Sequence, residues 1–171
     1  MLPIELTIEG LYSYKEKQVI NFENLTSSWL FGIFGKVGSG KSSIIDAITL
    51  AIYGEVERLG QRDNKNYNLM NLDSNELFIE FVCKVIGEKY SFIYHSKKNR
   101  KGDKVNTPER KISIFKNNEW VSIDKSGEEI LKISYRNFKQ AVVIPQGKFQ
   151  EFISQKPTER TEMLSEIFNL I

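Results

Sequence analysis

Gly35-Lys36-Val37-Gly38-Ser39-Gly40-Lys41-Ser42 stands between an apolar run, Trp29 to Phe34, and a stretch from Ile44 to Tyr53 whose apolar residues fall at helical spacing. Strand, glycine-rich loop and helix is the order a P-loop requires, and G-x-x-x-x-G-K-[ST] is matched at every fixed position. Gly35, Gly38 and Gly40 accept backbone angles that a side chain forbids, so successive N–H groups can curl into a concave anion nest. A helix starting near Lys41 adds its unpaired N–H groups and the positive end of its dipole. Such a nest suits a polyphosphate. Lys41 is expected to reach the β- and γ-phosphates as a point charge, and the Ser42 hydroxyl to sit on a magnesium ion bridging them. Lys36, Val37, Gly38, Ser39, Gly40, Lys41, Ser42 and Ser43 form the expected nucleotide-binding set, with ATP and Mg2+ as the cofactors.

The 171 residues, 40% of them hydrophobic, are enough for one domain with a buried core. No apolar run approaches a membrane span, and Met1-Leu2-Pro3-Ile4-Glu5 has neither the basic start nor the apolar centre of a signal peptide. A soluble, cytoplasmic chain without membrane contact is the expectation. Cys83 and His95 are the only residues of their types. Each lies in an alternating run, so both read as strand residues, and they make a poor metal site. Residues 97–111 hold seven basic and two acidic side chains, a net +5 within a total of +2. This stretch, with Lys97, Lys98, Arg100, Lys101 and Lys104, is a candidate contact for the backbone of double-stranded DNA, or else a solvated loop. No aromatic residue interrupts it, which favours phosphate contact over base stacking.

Ile4 to Glu9 alternates strictly and predicts a half-buried strand, with Gln18 to Phe22 returning beside it. Leu30 to Phe34 reads as a buried strand. In the helix after the P-loop, Ile44, Ile48, Ala51 and Ile52 share a face that Ile45, Leu50 and Tyr53 widen, and Gly54 is placed to end it. Residues 55–75 read as a polar surface loop. Leu77–Ile86 and Lys89–Ser96 form one expected hairpin, turning at Gly87-Glu88, and Lys111–Phe115 with Trp120–Ile123 another, turning at Asn117-Asn118. Ser126-Gly127-Glu128-Glu129 carries a capping box ahead of a short helix. Ala141 to Ile144 predicts a strand buried on both faces beside the P-loop strand, making a mixed sheet. Helical patterns follow over Lys148–Ser154 and from Pro157.

Hydrolysis requires more than a phosphate nest. An aspartate at the end of an apolar strand holds magnesium through water, and a glutamate commonly orients the attacking water. No run of four apolar residues followed by Asp-Glu occurs. Leu77-Phe78-Ile79-Glu80 is the nearest, but the alternation around it predicts an edge-type strand. Lys125-Ser126-Gly127-Glu128 faintly matches a nucleotide-contacting signature and is better explained by the capping box. By its parts the chain looks like half of an ATPase.

Four segments carry a family resemblance: Leu6-Thr7-Ile8-Glu9-Gly10-Leu11; Gly38 to Ile48; Ile52-Tyr53-Gly54; and Val142 to Phe152. The chain resembles the N-terminal half of the ATPase head of the SbcC family, SMC-like subunits of the prokaryotic double-strand-break repair nuclease. The resemblance implies an α/β P-loop NTPase fold, the N-terminal lobe of an SMC/ABC-type head with a mixed β-sheet, over residues 1–171. Val142 to Phe152 is similar to the family's Q-loop, and Gln146, 105 residues after Lys41, becomes the implied γ-phosphate sensor and a second group at the magnesium, catalytic together with Lys41. Glu159 to Leu170 is similar to the start of a coiled-coil arm. The implied partners are the protein's own C-terminal lobe, a second head closing over ATP, a SbcD-type nuclease and double-stranded DNA.

Two positions depart from the family pattern. Val37 replaces an asparagine or threonine, which removes a polar contact near the phosphates. Where some relatives place an arginine, this chain has Tyr12-Ser13, and an aromatic there can lie against the nucleotide base. Two other readings fit the residues: a self-contained small P-loop kinase, for which neither a magnesium aspartate nor an acceptor site is found, and an SMC-like DNA tether that uses nucleotide only to dimerise.

Overall fold

Alternation of apolar and polar residues builds most of the sheet. In the computed structural model, which describes residues 1–26, 32–56, 68–102, 104–139, 156–159, 161 and 165, β1 (Leu2–Glu9) and β2 (Gln18–Asn21) form an antiparallel pair. The short α1 (Glu23–Thr26) follows, then α2 (Lys41–Tyr53). Next come β3 (Glu76–Val85), β4 (Glu88–Lys97), β5 (Glu109–Lys116) and β6 (Glu119–Ser122). These make a six-stranded sheet in the order β2-β1-β3-β4-β5-β6, with every described pair antiparallel. The chain divides into two compact units, Met1–Asp124 and Lys125–Ile171.

Register assigns the faces. Leu6, Phe81, Phe92 and Ile112 lie opposite one another across four strands, and all four are buried. The neighbouring ladder on that face runs Ile8, Ile79, Tyr94, Arg110. Residues one step along, Thr7, Glu80, Ile93 and Lys111, point to the other face because side chains alternate along a strand. α2 packs on β3 and β4, burying Ile44, Ala47, Leu50, Ala51, Ile52 and Tyr53. Ile45, expected to widen that surface, is exposed instead. Burying each aliphatic side chain is worth about 1.5–3 kcal/mol, so this helix is held by its packed face.

Both hairpins turn through two residues in left-handed backbone. Asn117 and Asn118 have φ of 51° and 64°, the pair of positive angles that a two-residue type I′ turn needs. Ile86 and Gly87, at 49° and 82°, make the other turn one residue earlier than expected, with β-branched Ile86 bearing the unfavourable angle. Gly54, at φ 76°, closes α2 and donates its N–H to the Leu50 carbonyl at 2.8 Å.

Three expectations are corrected. β3 is central, flanked by β1 and β4; its alternation arises because only one sheet face carries α2, and an edge position is not required. Gly32 to Phe34 form no strand, and Phe34 is 93% exposed; among the described residues no strand pairs with them, and residues 27–31 lie outside the described set. Leu69 and Met70 are buried within the expected surface loop, because Met70 bridges Leu11 and Tyr12 donates to the Leu69 carbonyl at 2.9 Å. The expected strand Ala141–Ile144 and helix Lys148–Ser154 lie outside the described residues.

In the second unit, Ser126 caps α3 (Gly127–Leu131) with a complete capping box: its side chain accepts from the Glu129 N–H at 3.2 Å, and the Glu129 carboxylate accepts from the Ser126 N–H at 2.7 Å. α4 (Tyr135–Asn137) follows, capped by Ser134. In the first unit, Cys83 of β3 is fully buried, which pushes its thiol pKa up to about 12. His95 sits in β4 beside Glu76 at 3.2 Å.

Candidate nucleotide-binding site

The loop between residues 35 and 40 is wrapped around one ammonium group. Lys41 Nζ donates to the carbonyls of Gly35 at 2.7 Å and Lys36 at 2.6 Å, and approaches Ser39 Oγ at 3.4 Å. A turn inside that wrap is closed by the Ser39 N–H on the Lys36 carbonyl at 3.2 Å. Gly38 has φ +84° and open space where a Cβ would stand, while a Cβ on Gly35 would meet Ser39 Oγ at 2.7 Å. With these two carbonyls turned to the ammonium, the positive charge is held against the loop backbone.

Gly40 is the N-cap of α2, at φ 85° and ψ 10°, and no side chain caps the helix. A helix start without a side-chain cap leaves first-turn N–H groups to bind an external acceptor. Ser42 is exposed in that turn. Ser43 is buried, with its N–H spent on the Gly40 carbonyl at 3.0 Å. Lys36 and Val37 stand in solvent, Val37 fully exposed at the tip. A polyphosphate and its magnesium would meet here the Lys41 charge, first-turn amides that no side chain caps, and the exposed Ser42 hydroxyl.

The turn between β1 and β2 forms a wall of this site. Tyr14 donates its hydroxyl to the Gly40 carbonyl at 3.2 Å, and a Cβ on Gly40 would fall 2.7 Å from the Tyr14 ring and 2.9 Å from Ser13 Oγ. Burial raises the Tyr14 phenol pKa from its ordinary value. Ser13 is therefore beside the loop. Tyr12 instead lines a cavity of about 470 Å³ with Asn68, Met70, Asn71, Leu72 and Asp73, at a left-handed φ of 48°. Tyr12 and Ser13 are legible as candidates in the sequence and Tyr14 is not, since no spacing rule links position 14 to position 40. Gln146 lies outside the described residues.

Of the basic stretch, three side chains are engaged at home. Lys97 pairs with Glu76 at 3.3 Å, Lys98 donates to the Leu72 carbonyl at 2.9 Å, and Arg110 donates to the Ile52 carbonyl at 2.8 Å. Arg100, Lys101 and Lys104 lie exposed in the connection between β4 and β5. Glu80, the nearest approach to a magnesium carboxylate, accepts from Ser91 Oγ at 2.8 Å within the sheet.

A lysine held inside a glycine loop that opens an uncapped helix defines a P-loop phosphate-binding protein. The AAA domain family matches residues 5–171, and the chain belongs to that family. It is similar over 99% of its length to the SbcC subunit of the nuclease SbcCD of Bacillus subtilis, at 40% identity, and to the protein of the same name from Clostridium acetobutylicum, at 38%. A probable DNA double-strand break repair Rad50 ATPase of Aquifex aeolicus is 33% identical over 99% of the chain. The chain covers 16%, 15% and 17% of these three relatives, about a sixth of their length. The resemblance read from the four sequence segments is thereby borne out. No described helix is long and apolar enough to cross a membrane.

Proposed function

We propose that residues 1–171 are the N-terminal, nucleotide-binding lobe of an SMC-like DNA double-strand-break repair ATPase. Lys41 places its charge against the β- and γ-phosphates, and the amides of the loop and of the first turn of α2 receive their oxygens. Magnesium, when bound, neutralises charge across those phosphates, and Ser42 and Gln146 are the residues of this chain that hold it. Gln146 also reports the γ-phosphate to the segment that follows it. An aspartate–glutamate pair and a signature motif come from a C-terminal lobe of the same protein, and two heads close over two nucleotides. The closed pair binds double-stranded DNA and regulates a SbcD-type nuclease in the cytoplasm.

The observation that carries this reading is the Lys41 ammonium seated on the Gly35 and Lys36 carbonyls at 2.7 and 2.6 Å. Similarity along 99% of the chain to one component of a nuclease supports the rest. Positioning and charge stabilisation supply nearly all catalysis in phosphoryl transfer, so a lobe with half the groups turns over slowly. Mixing the chain with the C-terminal lobe is expected to restore ATP hydrolysis, with a rate that rises more steeply than linearly in protein concentration. Multiple turnover by residues 1–171 alone, linear in concentration, would instead identify a self-contained NTPase.

A further inference from the structure

We infer that Tyr14 is a positioning residue of the phosphate loop, setting through its hydroxyl the direction in which the Lys41 backbone N–H faces a bound phosphate chain. The inference rests on the nucleotide-binding reading above. A peptide group is planar and trans, so the carbonyl of Gly40 and the N–H of Lys41 point in opposite directions. The Gly40 carbonyl is held from two sides, by the Tyr14 hydroxyl at 3.2 Å and the Ser43 N–H at 3.0 Å. Fixing that oxygen toward the body of the protein turns the Lys41 N–H outward, past the start of α2 and into the nest. Glycine allows the arrangement twice over. It takes the φ of +85°, and it has no Cβ where the Tyr14 ring and Ser13 Oγ already stand, 2.7 and 2.9 Å away.

Tyr14 can serve as a fixed support because its own turn is tied down on the far side. The Tyr14 N–H donates to the Leu11 carbonyl at 2.8 Å, the Tyr12 N–H to Leu69 at 2.9 Å, and the Asn71 N–H to Gly10 at 2.8 Å. The Asn71 side-chain amide also donates to the Tyr12 carbonyl. Residues 69–71 therefore brace the turn, and the turn braces Gly40. Donors already aimed at a ligand need no reorganisation when it arrives, which is the source of their binding strength. The contact is made to the backbone of the loop, so its benefit belongs to the phosphates and is independent of the base.

The test compares the full chain with Tyr14→Phe, which keeps the ring and removes only the hydroxyl. Calorimetry is run with Mg-ATP, Mg-GTP and inorganic tripolyphosphate. The expected result is a roughly three- to tenfold loss of affinity, the range of one hydrogen bond, equal for all three ligands. The melting temperature without ligand stays unchanged, and the Lys41 amide signal in a 15N–1H spectrum moves. A loss confined to the nucleotides, with tripolyphosphate unaffected, would make Tyr14 a base-contacting residue and overturn the inference. Unchanged affinity for all three, or an unmoved Lys41 amide, overturns it as well. Should Tyr14→Phe melt early, the Lys41 amide signal of Tyr14→Trp, which fills the space but carries its donor elsewhere, decides the matter by the same criterion. Failure of the unaltered chain to bind any of the three ligands rejects the nucleotide reading itself, an outcome distinct from the others.

Discussion

The Arg110 guanidinium donates to the Ile52 carbonyl at 2.8 Å, joining β5 to the last turn of the helix that opens at the phosphate loop. Its planar head also lies 3.0 Å from where a Cβ on Gly54 would stand, so cap glycine and arginine are fitted to each other. A cation at the carbonyl end of a helix satisfies an orphan acceptor and opposes the negative end of the dipole. Burial lowers the Arg110 pKa from its usual range, while Tyr94 and Glu55 act in the opposite direction. Arg110→Met is expected to cost about 1–2 kcal/mol, a charge-assisted hydrogen bond discounted for solvent access. Arg110→Lys should recover part of that loss. Urea denaturation checks both; a methionine variant as stable as the parent would mean the contact contributes nothing.

Glu76 answers to acid. Its carboxyl is held below the ordinary 4.5, first by the hydrogen bond from His95 and then by that from Lys97. A carboxylate with a depressed folded-state pKa adds stability that is present above its unfolded value and is lost as pH falls through the folded one. Glu76→Gln should therefore destabilise the chain at pH 7, and the gap between variant and parent should close as pH drops below 4.5. Salt should narrow the gap at pH 7, since these side chains are substantially solvent-exposed. Thermal melts across pH 3 to 7 read the gap directly, and a gap independent of pH would contradict the assignment.

On the function proposed above, Arg100, Lys101 and Lys104, exposed in the β4–β5 connection, are the side chains expected to meet the DNA backbone. Lys97, Lys98 and Arg110 already hold partners within the fold. Replacing the first three by glutamine should weaken duplex binding by the assembled protein and flatten its salt dependence by about 0.9 per lost phosphate contact. Gel-shift titrations at several salt concentrations give that slope. An unchanged slope removes the loop from the DNA interface.

Much of this architecture is legible in the sequence because local rules decide it. Alternation places β1, β3 and β4; the Asn117-Asn118 pair sets a hairpin turn; Gly54 stops α2; and Ser126 with Glu129 begins α3. The loop geometry is legible too, since Gly38 and Gly40 carry the positive φ that the motif requires. Contacts between distant segments leave no periodic trace. Tyr14 reaches Gly40 across 26 positions and Arg110 reaches Ile52 across 58, and neither pair has a spacing that marks it. The central place of β3 is hidden for a related reason: one polar sheet face produces the same alternation as an edge strand. Leu69 and Met70 look like parts of a polar loop because a two-residue apolar pair is too short to show a period.

Whether Lys41 and its loop hold the phosphates of a nucleotide is decided by calorimetric titration of Mg-ATP into the chain and into Lys41→Ala. Saturable binding is expected of the parent and none detectable of the variant, with circular dichroism and melting alike because, among the described residues, the Lys41 ammonium bonds to exposed loop atoms. Equal affinity of the two proteins would contradict a phosphate-binding role for Lys41.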